Sequence, residues 1–209
     1  MPGLLLEDKI TRKGTKTDGM GNGQTRVRRV MKTLSLDRAS YRLRHGESEQ
    51  LRHCLSPQQV QLIKDTWNIL KEDLAFIGGS IFKDFFETRQ EIKMYFPKIV
   101  RISESNQLEW DIDRNMLQQH GLTVMQGIGA AVENLDDSRF LNGILFTVGQ
   151  SHVNRHIKPN MLKKLWPSIN RCFRRTLKEH YTEDAEEAWQ LIFLYICAHM
   201  KNGMQNKAS

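Results

Sequence analysis

From Leu55 onward, apolar residues recur every three or four positions, the spacing that places side chains on one face of an α-helix. The first helix is predicted to start at Ser56, because serine caps a helix, Pro57 suits its first turn and Gln59 completes a capping box. Its apolar positions continue to Leu70. No stretch alternates convincingly between apolar and polar residues, so the pattern predicts an all-α fold.

Further helices follow from the same spacing. Gly78 and Gly79 interrupt the second helix at a cost of about 1 kcal/mol each relative to alanine, which predicts a close approach of two helices. Residues 98–112 are polar and predict an irregular connecting loop, and 145–159 is predicted as an apolar helix ended by its final Lys-Pro pair. The other predicted helices comprise the run from Phe76 to Phe86, a short turn stopped by Pro97, a long helix from Asp113 through Leu135, one from Asn160 to about Lys178, and one from Glu183 to Asn202 with Gly203 as its C-cap.

Two of the seven histidines, His120 and His152, lie on otherwise apolar faces of predicted helices. A single histidine in that setting is usually a satisfied core residue, but two on helices that can fold against each other suit the opposite sides of a haem iron. Zinc is less consistent with the pattern. A tetrahedral zinc site takes three or four ligands, and the spacing of His152 and His156 comes without an HExxH motif or nearby thiols.

Composition limits the class of protein. With 209 residues, 39% apolar and 26% charged, the chain fits a single globular core, and no apolar run approaches the roughly 20 residues of a membrane span. The three cysteines, Cys54, Cys172 and Cys197, form no CxxC pair, and no secretory signal precedes them. A reducing, cytoplasmic location with reduced thiols is therefore expected.

The net charge of +7 belongs mainly to the first quarter of the chain. Residues 1–54 carry 12 Lys and Arg against 6 Asp and Glu, whereas the remaining residues are close to neutral. We predict a mostly disordered basic extension (1–54), a core domain (55–203) and a short tail (204–209). A weak amphipathic pattern within 26–44 predicts contact with a membrane surface or an acidic protein. Tyr41 is the only aromatic residue of the extension, which argues against specific nucleic-acid binding.

Short motifs in the core domain lie at mutually consistent spacings. They comprise Leu55-Ser56-Pro57, Trp67, the pair Gly78 and Gly121, Phe96 with Pro97, His120-Gly121-Leu122-Thr123-Val124, and Ser151-His152 with His156 and Pro159. Together these motifs resemble the globin family. Three further segments are similar to the neuroglobin and globin-X group, namely Ile63-Lys64-Asp65-Thr66-Trp67, Phe85-Phe86-Glu87-Thr88 and Glu186-Glu187-Ala188-Trp189.

The resemblance implies a globin fold of about seven to eight helices packed around a haem pocket that holds haem b, iron protoporphyrin IX. It implies that His152 is the proximal ligand of the iron. His120 is implied on the distal side, where it donates to a gas ligand or binds the iron itself. The other implied pocket residues are Phe82, Phe96, Val124 and His156, the last at the pocket edge beside a haem propionate or simply in solvent. Without the resemblance, Phe82 and Phe96 would be equally consistent with plain core.

The function implied by the resemblance is binding of dioxygen or other diatomic gases, for storage, transport or sensing. The alternative is redox chemistry, namely nitrite reduction, nitric oxide dioxygenation or electron transfer, which is favoured if His120 occupies the sixth position of the iron. The 209 residues contain no flavin or nucleotide-binding motif, so redox turnover would need an external electron donor. Either function is compatible with recruitment of the domain to a membrane or partner by residues 1–54.

Overall fold

The structure, a computed structural model, describes residues 55–102 and 110–206. The predicted basic extension, its amphipathic stretch and Cys54 lie outside the described residues. Within them the α-helices are α1 (Pro57–Leu70), α2 (Leu74–Thr88), α3 (Arg114–Glu133), α4 (Ser138–Val153), the one-turn α5 (Pro159–Leu162), α6 (Trp166–Leu177) and α7 (Glu183–Gln205). Shorter 3₁₀ segments comprise Lys71–Asp73, Gln90–Tyr95, Lys163–Leu165 and Lys178–His180.

The first helix begins as its sequence predicts. Ser56 Oγ accepts from the backbone N–H of Gln59 at 3.2 Å, and Gln59 Oε1 accepts from the backbone N–H of Ser56 at 2.9 Å. Aspartates cap α3 and α4 in a similar way, since Asp113 accepts from Met116 and Asp137 from Phe140. These caps satisfy N–H groups that the first turn of a helix leaves unpaired, and so they fix where each helix begins.

Most of the core lies where α1, α6 and α7 meet. Trp67 and Trp189 pack at a ring-centroid distance of 6.2 Å, and Phe173 meets Trp189 edge-on at 5.1 Å. The indole N–H of Trp189 donates to Thr66 Oγ1 at 2.9 Å, which satisfies a buried donor. A second apolar cluster forms beside this core from Phe82, Phe85, Phe86, Ile92, Ile99, Val100 and Leu117. This cluster, called the phenylalanine cluster below, supports one side of the candidate site.

Glycines allow three unusually close helix contacts. A Cβ atom placed on Gly78 of α2 would lie 2.3 Å from the carbonyl carbon of Gly121 of α3, which confirms the predicted close approach at the glycine pair. Between α4 and α7, a Cβ on Gly149 would lie 2.0 Å from the carbonyl oxygen of Met200. A Cβ on Gly203 would lie 1.9 Å from that of Phe146. Any side chain at these positions would force the backbones apart.

Two predicted helix ends are wrong. The helix that carries His152 ends at Val153, before the Lys-Pro pair, and Pro159 instead occupies the first turn of α5, where its missing N–H costs nothing. Gly203 is not a C-cap, since α7 continues through it to Gln205. The physical reason is the contact with Phe146, which requires a residue without a side chain inside the helix.

Residues 98–112 are not wholly an irregular loop. Val100–Ile102 and Trp110–Ile112 form a short antiparallel pair in which Val100 lies opposite Ile112. Ile99 and Val100 are buried against the phenylalanine cluster, and this burial orders the start of the segment despite its polar character. Among the described residues, no helix has the combination of length and apolarity needed to cross a bilayer.

Candidate functional site

His120 lies in the second turn of α3 with its ring against the phenylalanine cluster. The ring centroids of Phe82 and His120 are 4.6 Å apart and those of Phe96 and His120 are 5.4 Å apart, both in edge-to-face arrangements. Phe82 also meets Phe86 and Phe96 edge-on. Among the described residues none forms a hydrogen bond with the His120 ring, which packs against these two phenyl rings.

His152 lies in the last turn of α4, and a hydrogen bond orients its ring. Its Nδ1 lies 2.8 Å from the carbonyl oxygen of Val148, one turn earlier. A carbonyl can only accept, so Nδ1 carries the proton and Nε2 keeps its lone pair. The Ser151 hydroxyl donates to the same oxygen at 2.7 Å. The acceptor for the His152 N–H is thus a backbone carbonyl of the preceding turn, which the Ser151 hydroxyl shares as a second donor.

Both imidazoles are neutral at ordinary pH. Burial, followed by the charges of His152 and Arg155, lowers the pKa of His120 from 6.5 to about 4. Burial also lowers the pKa of His152, although the hydrogen bond to Val148 opposes that shift. A protonated His152 would further disfavour protonation of His120, so the two side chains lie close enough to influence each other electrostatically. A neutral imidazole nitrogen with a free lone pair is the form that binds a metal.

The remaining predicted pocket residues separate into two groups. Phe82 is buried, Phe96 is half-buried beside it, and Val124 packs against both the main core and the phenylalanine cluster. These three residues are brought together with His120. His156 is not among them. It lies exposed beyond the end of α4 with a φ of 58°, so its suggested place at the pocket edge stays a prediction.

Sequence reasoning did not place two residues beside this cluster. Met161 of α5 and Leu165 of the following 3₁₀ segment are partly buried and pack against the phenylalanine cluster. Their spacing in the sequence does not distinguish them from ordinary core residues. The sequence signal that could have located them is Pro159, because a proline is typical of the first turn of a helix. It indicates a new helix directly after the segment that carries His152.

The donor set fits a haem. Two neutral imidazoles from different helices, that of His152 with a fixed tautomer and that of His120 beside two phenyl rings, are donors that would suit the iron of a haem. The phenyl rings of Phe82 and Phe96 supply apolar surface of the kind that packs against such a macrocycle. His152 would hold the iron from α4, and His120 faces the same environment from α3.

Comparisons with known proteins identify the family of this chain. A family model described as Globin matches residues 79–200, so the chain belongs to the globin family. Among curated relatives, cytoglobin-1 of Oryzias latipes is 26% identical over 161 residues, which cover 76% of this chain and 89% of that protein. Neuroglobin of Tetraodon nigroviridis is 25% identical over 149 residues, which cover 71% and 92%. The relatives of this chain thus include both cytoglobins and a neuroglobin.

A solved structure supports the fold. The crystal structure of a hexacoordinated heme protein from an anhydrobiotic tardigrade, at pH 4, superposes with a TM-score of 0.63 at 18% sequence identity. The match covers 72% of this chain and 96% of that one. The predicted globin fold is therefore confirmed, and family membership makes this chain a haem-binding globin.

Proposed function

We propose that this globin binds haem b between His152 and His120 and uses it for reversible binding of dioxygen or another diatomic gas. The observation that carries the proposal is the contrast between the two imidazoles. His152 is oriented by a hydrogen bond to Val148, as suits a permanent ligand, whereas His120 packs against two phenyl rings and makes no ring hydrogen bond to the described residues. We infer that His120 is an exchangeable ligand that yields its position to a gas.

The chain's own residues support this function in three ways. The Val148 carbonyl holds the His152 ring with its Nε2 unprotonated, which keeps a strong donor available at all times. Phe82, Phe96 and Val124 supply an apolar distal surface that excludes water. Haem, when bound, supplies iron with affinity for diatomic gases and a one-electron couple. In the tautomer whose pocket-facing nitrogen carries the proton, His120 would be able to donate a hydrogen bond to a bound gas.

The same pair of imidazoles also favours a second function. Iron with two histidine ligands has no open position, which suits electron transfer, nitrite or nitric oxide chemistry with an external electron donor, or redox sensing. The two functions differ in how often His120 leaves the iron. They therefore predict different spectra and different ligand-binding rates for one and the same pocket.

The deciding experiment is the visible spectrum of the deoxygenated ferrous protein for the full chain and three variants. We expect low-spin bands in the parent and a high-spin spectrum with haem retained in His120→Leu. In His152→Leu we expect haem loss to accelerate by more than the roughly 10–100-fold typical of losing an outer-shell partner. His199→Leu is the matched control, because His199 is a partly buried histidine that stacks on Tyr195, outside the phenylalanine cluster.

Each outcome decides a separate part of the proposal. A native spectrum in His152→Leu would refute the ligand assignment. A high-spin spectrum of the parent would indicate an open iron position and favour simple gas binding. A low-spin spectrum that does not change when carbon monoxide is added would mean that His120 is not displaced, and would favour electron transfer.

A further inference from the structure

The closest contact between α4 and α7 is reciprocal. Gly149 of α4 lies against the backbone of Met200, and Gly203 of α7 lies against the backbone of Phe146. Each glycine would place a Cβ atom within 2.0 Å of the facing carbonyl oxygen, a separation that no side chain tolerates. We call this double contact the α4–α7 glycine contact.

Conformational freedom does not explain these glycines. No glycine in the described residues has a positive φ, so Gly149 and Gly203 adopt ordinary helical backbone that any residue could form. Glycine is also among the least favourable residues for a helix interior. Close approach of the two backbones is therefore what requires a residue without a side chain at both positions.

The contact lies directly beside the group that orients His152. Gly149 follows Val148, whose carbonyl oxygen accepts from His152 Nδ1 at 2.8 Å. His152 itself is three residues beyond Gly149, on the same helix. A shift of the α4 backbone at Gly149 must therefore move both the acceptor and the residue that it orients, because a helix is stiff over one turn.

We propose that Gly149 and Gly203 are positioning residues for His152, and that the α4–α7 glycine contact sets the position of its imidazole relative to the haem iron. This inference rests on the proposed function, in which His152 is the proximal ligand. Neither glycine touches haem in this proposal. Both act through the α4 backbone and the Val148 carbonyl.

The test compares alanine variants at four glycines. Gly149→Ala and Gly203→Ala break the contact from either helix. Gly127→Ala is the neutral control, since nothing lies within 4 Å of a Cβ atom there. Gly129→Ala is the control for general damage, because its Cβ would lie 2.5 Å from the Trp67 ring, in the core and away from α4. Alanine is the smallest change possible at each position.

Two measurements separate positioning from stability. The first is the rate of haem loss from the full chain. The second is the iron–histidine stretching frequency of the ferrous protein, recorded by resonance Raman in a His120→Leu background so that His152 is the single protein ligand. We expect Gly149→Ala and Gly203→Ala to raise the rate of haem loss about tenfold or more and to shift the frequency. In Gly127→Ala and Gly129→Ala we expect an unchanged frequency.

The inference is overturned if both contact variants match Gly127→Ala in frequency and in rate within about twofold, or if Gly129→Ala shifts the frequency equally. Gly203 lies in the last turn of α7, where a substitution disturbs fewer helical hydrogen bonds than in the middle of a helix, so Gly203→Ala decides the question where Gly149→Ala does not fold. Failure of the proposed function has another signature. In that case His152→Leu loses haem no faster than the parent does, whatever the glycine variants do.

Discussion

The two sides of the candidate pocket hold their histidines by different means. On the α4 side, His152 donates to a backbone carbonyl, so its tautomer and orientation are fixed by a hydrogen bond. On the α3 side, the His120 ring packs against two phenyl rings and makes no hydrogen bond to the described residues. The difference teaches that two similarly buried imidazoles are not equivalent, because a directional hydrogen bond holds one ring and non-directional packing surrounds the other.

The backbones behind the two histidines are nevertheless held in a similar way. Gly121, next to His120, presses against Gly78, and Gly149, one turn before His152, presses against Met200. Freedom on the α3 side therefore resides in the His120 side chain and its aromatic neighbours, while the helix itself is fixed. Substitutions in the backbone contact, the aromatic cluster and the outer ion pair test this view in decreasing order of expected effect.

Breaking the α2–α3 crossing has the largest expected effect. In Gly121→Ala the new Cβ would lie 2.2 Å from the carbonyl carbon of Gly78, so the helices must separate. We expect the free energy of unfolding, measured with urea on the full chain, to fall by about 2–3 kcal/mol. Gly127→Ala, an exposed position on the same helix, should instead gain up to about 1 kcal/mol. Equal effects of the two substitutions would contradict the view that backbone contact holds α3.

Removing one aromatic neighbour of His120 has an intermediate effect. Phe82→Leu keeps an apolar side chain but loses the ring that lies 4.6 Å from His120, and we expect a cost of about 1–1.5 kcal/mol. We also expect the low-spin fraction of the ferrous protein to fall, because His120 loses the packing that orients it.

Phe173→Leu is the matched control for this substitution. Phe173 is fully buried in the main core, where it packs on Trp189 and Tyr181. A similar loss of stability with an unchanged spectrum is expected. If Phe82→Leu and Phe173→Leu change the low-spin fraction of the ferrous protein equally, the packing of Phe82 on His120 does not specifically orient that histidine.

The ion pair that fastens α2 to α6 has the smallest expected effect. Arg171 donates to both oxygens of Asp84, at 3.1 and 2.5 Å, and these hydrogen bonds lower the pKa of Asp84 below its ordinary value. Since the folded-state pKa is the lower one, the pair stabilises the fold above the ordinary pKa and this contribution is lost as pH falls through the folded-state value. Arg171 is about half exposed, so about 1 kcal/mol is expected.

The measurement is the difference in free energy of unfolding between the parent and Asp84→Asn as a function of pH. The parent should be more stable near neutral pH, and the difference should shrink in acid. Glu87→Gln removes the exposed pair with Lys83 and should change little at any pH. A difference in free energy of unfolding that grows in acid would refute the role assigned to Asp84. A change in the visible spectrum of Asp84→Asn would show that this outer ion pair affects the haem pocket.

The sequence was sufficient to predict features that depend on local chemistry. Ser56 begins α1 through its own side chain and that of Gln59, and the apolar spacing around His120 reflects the face of one helix. The Gly78 and Gly121 pair could be interpreted because a family resemblance supplied the partner of each glycine. The all-α class follows from the same periodicity.

Features that depend on distant contacts were not predictable from the sequence. A glycine near a helix end is consistent with a C-cap or with a close crossing, and Gly203 proved to be the latter because Phe146 lies across from it. The pair of strands beside the phenylalanine cluster forms because Ile99 and Val100 find a buried surface. In the site, the facing positions of His120 and Phe82 depend on how α2 and α3 cross, which no local pattern specifies.

The carbonyl oxygen of Val148 serves two donors, His152 Nδ1 and the Ser151 hydroxyl. A carbonyl oxygen that accepts two hydrogen bonds forms a weaker bond with each donor. The His152 ring therefore gains less imidazolate character than it would from an acceptor of its own. In the proposed complex such a ring pushes less electron density toward the metal. We therefore expect the hydroxyl of Ser151, through its hydrogen bond to Val148, to bias the iron toward its ferrous state and to slow autoxidation of the protein.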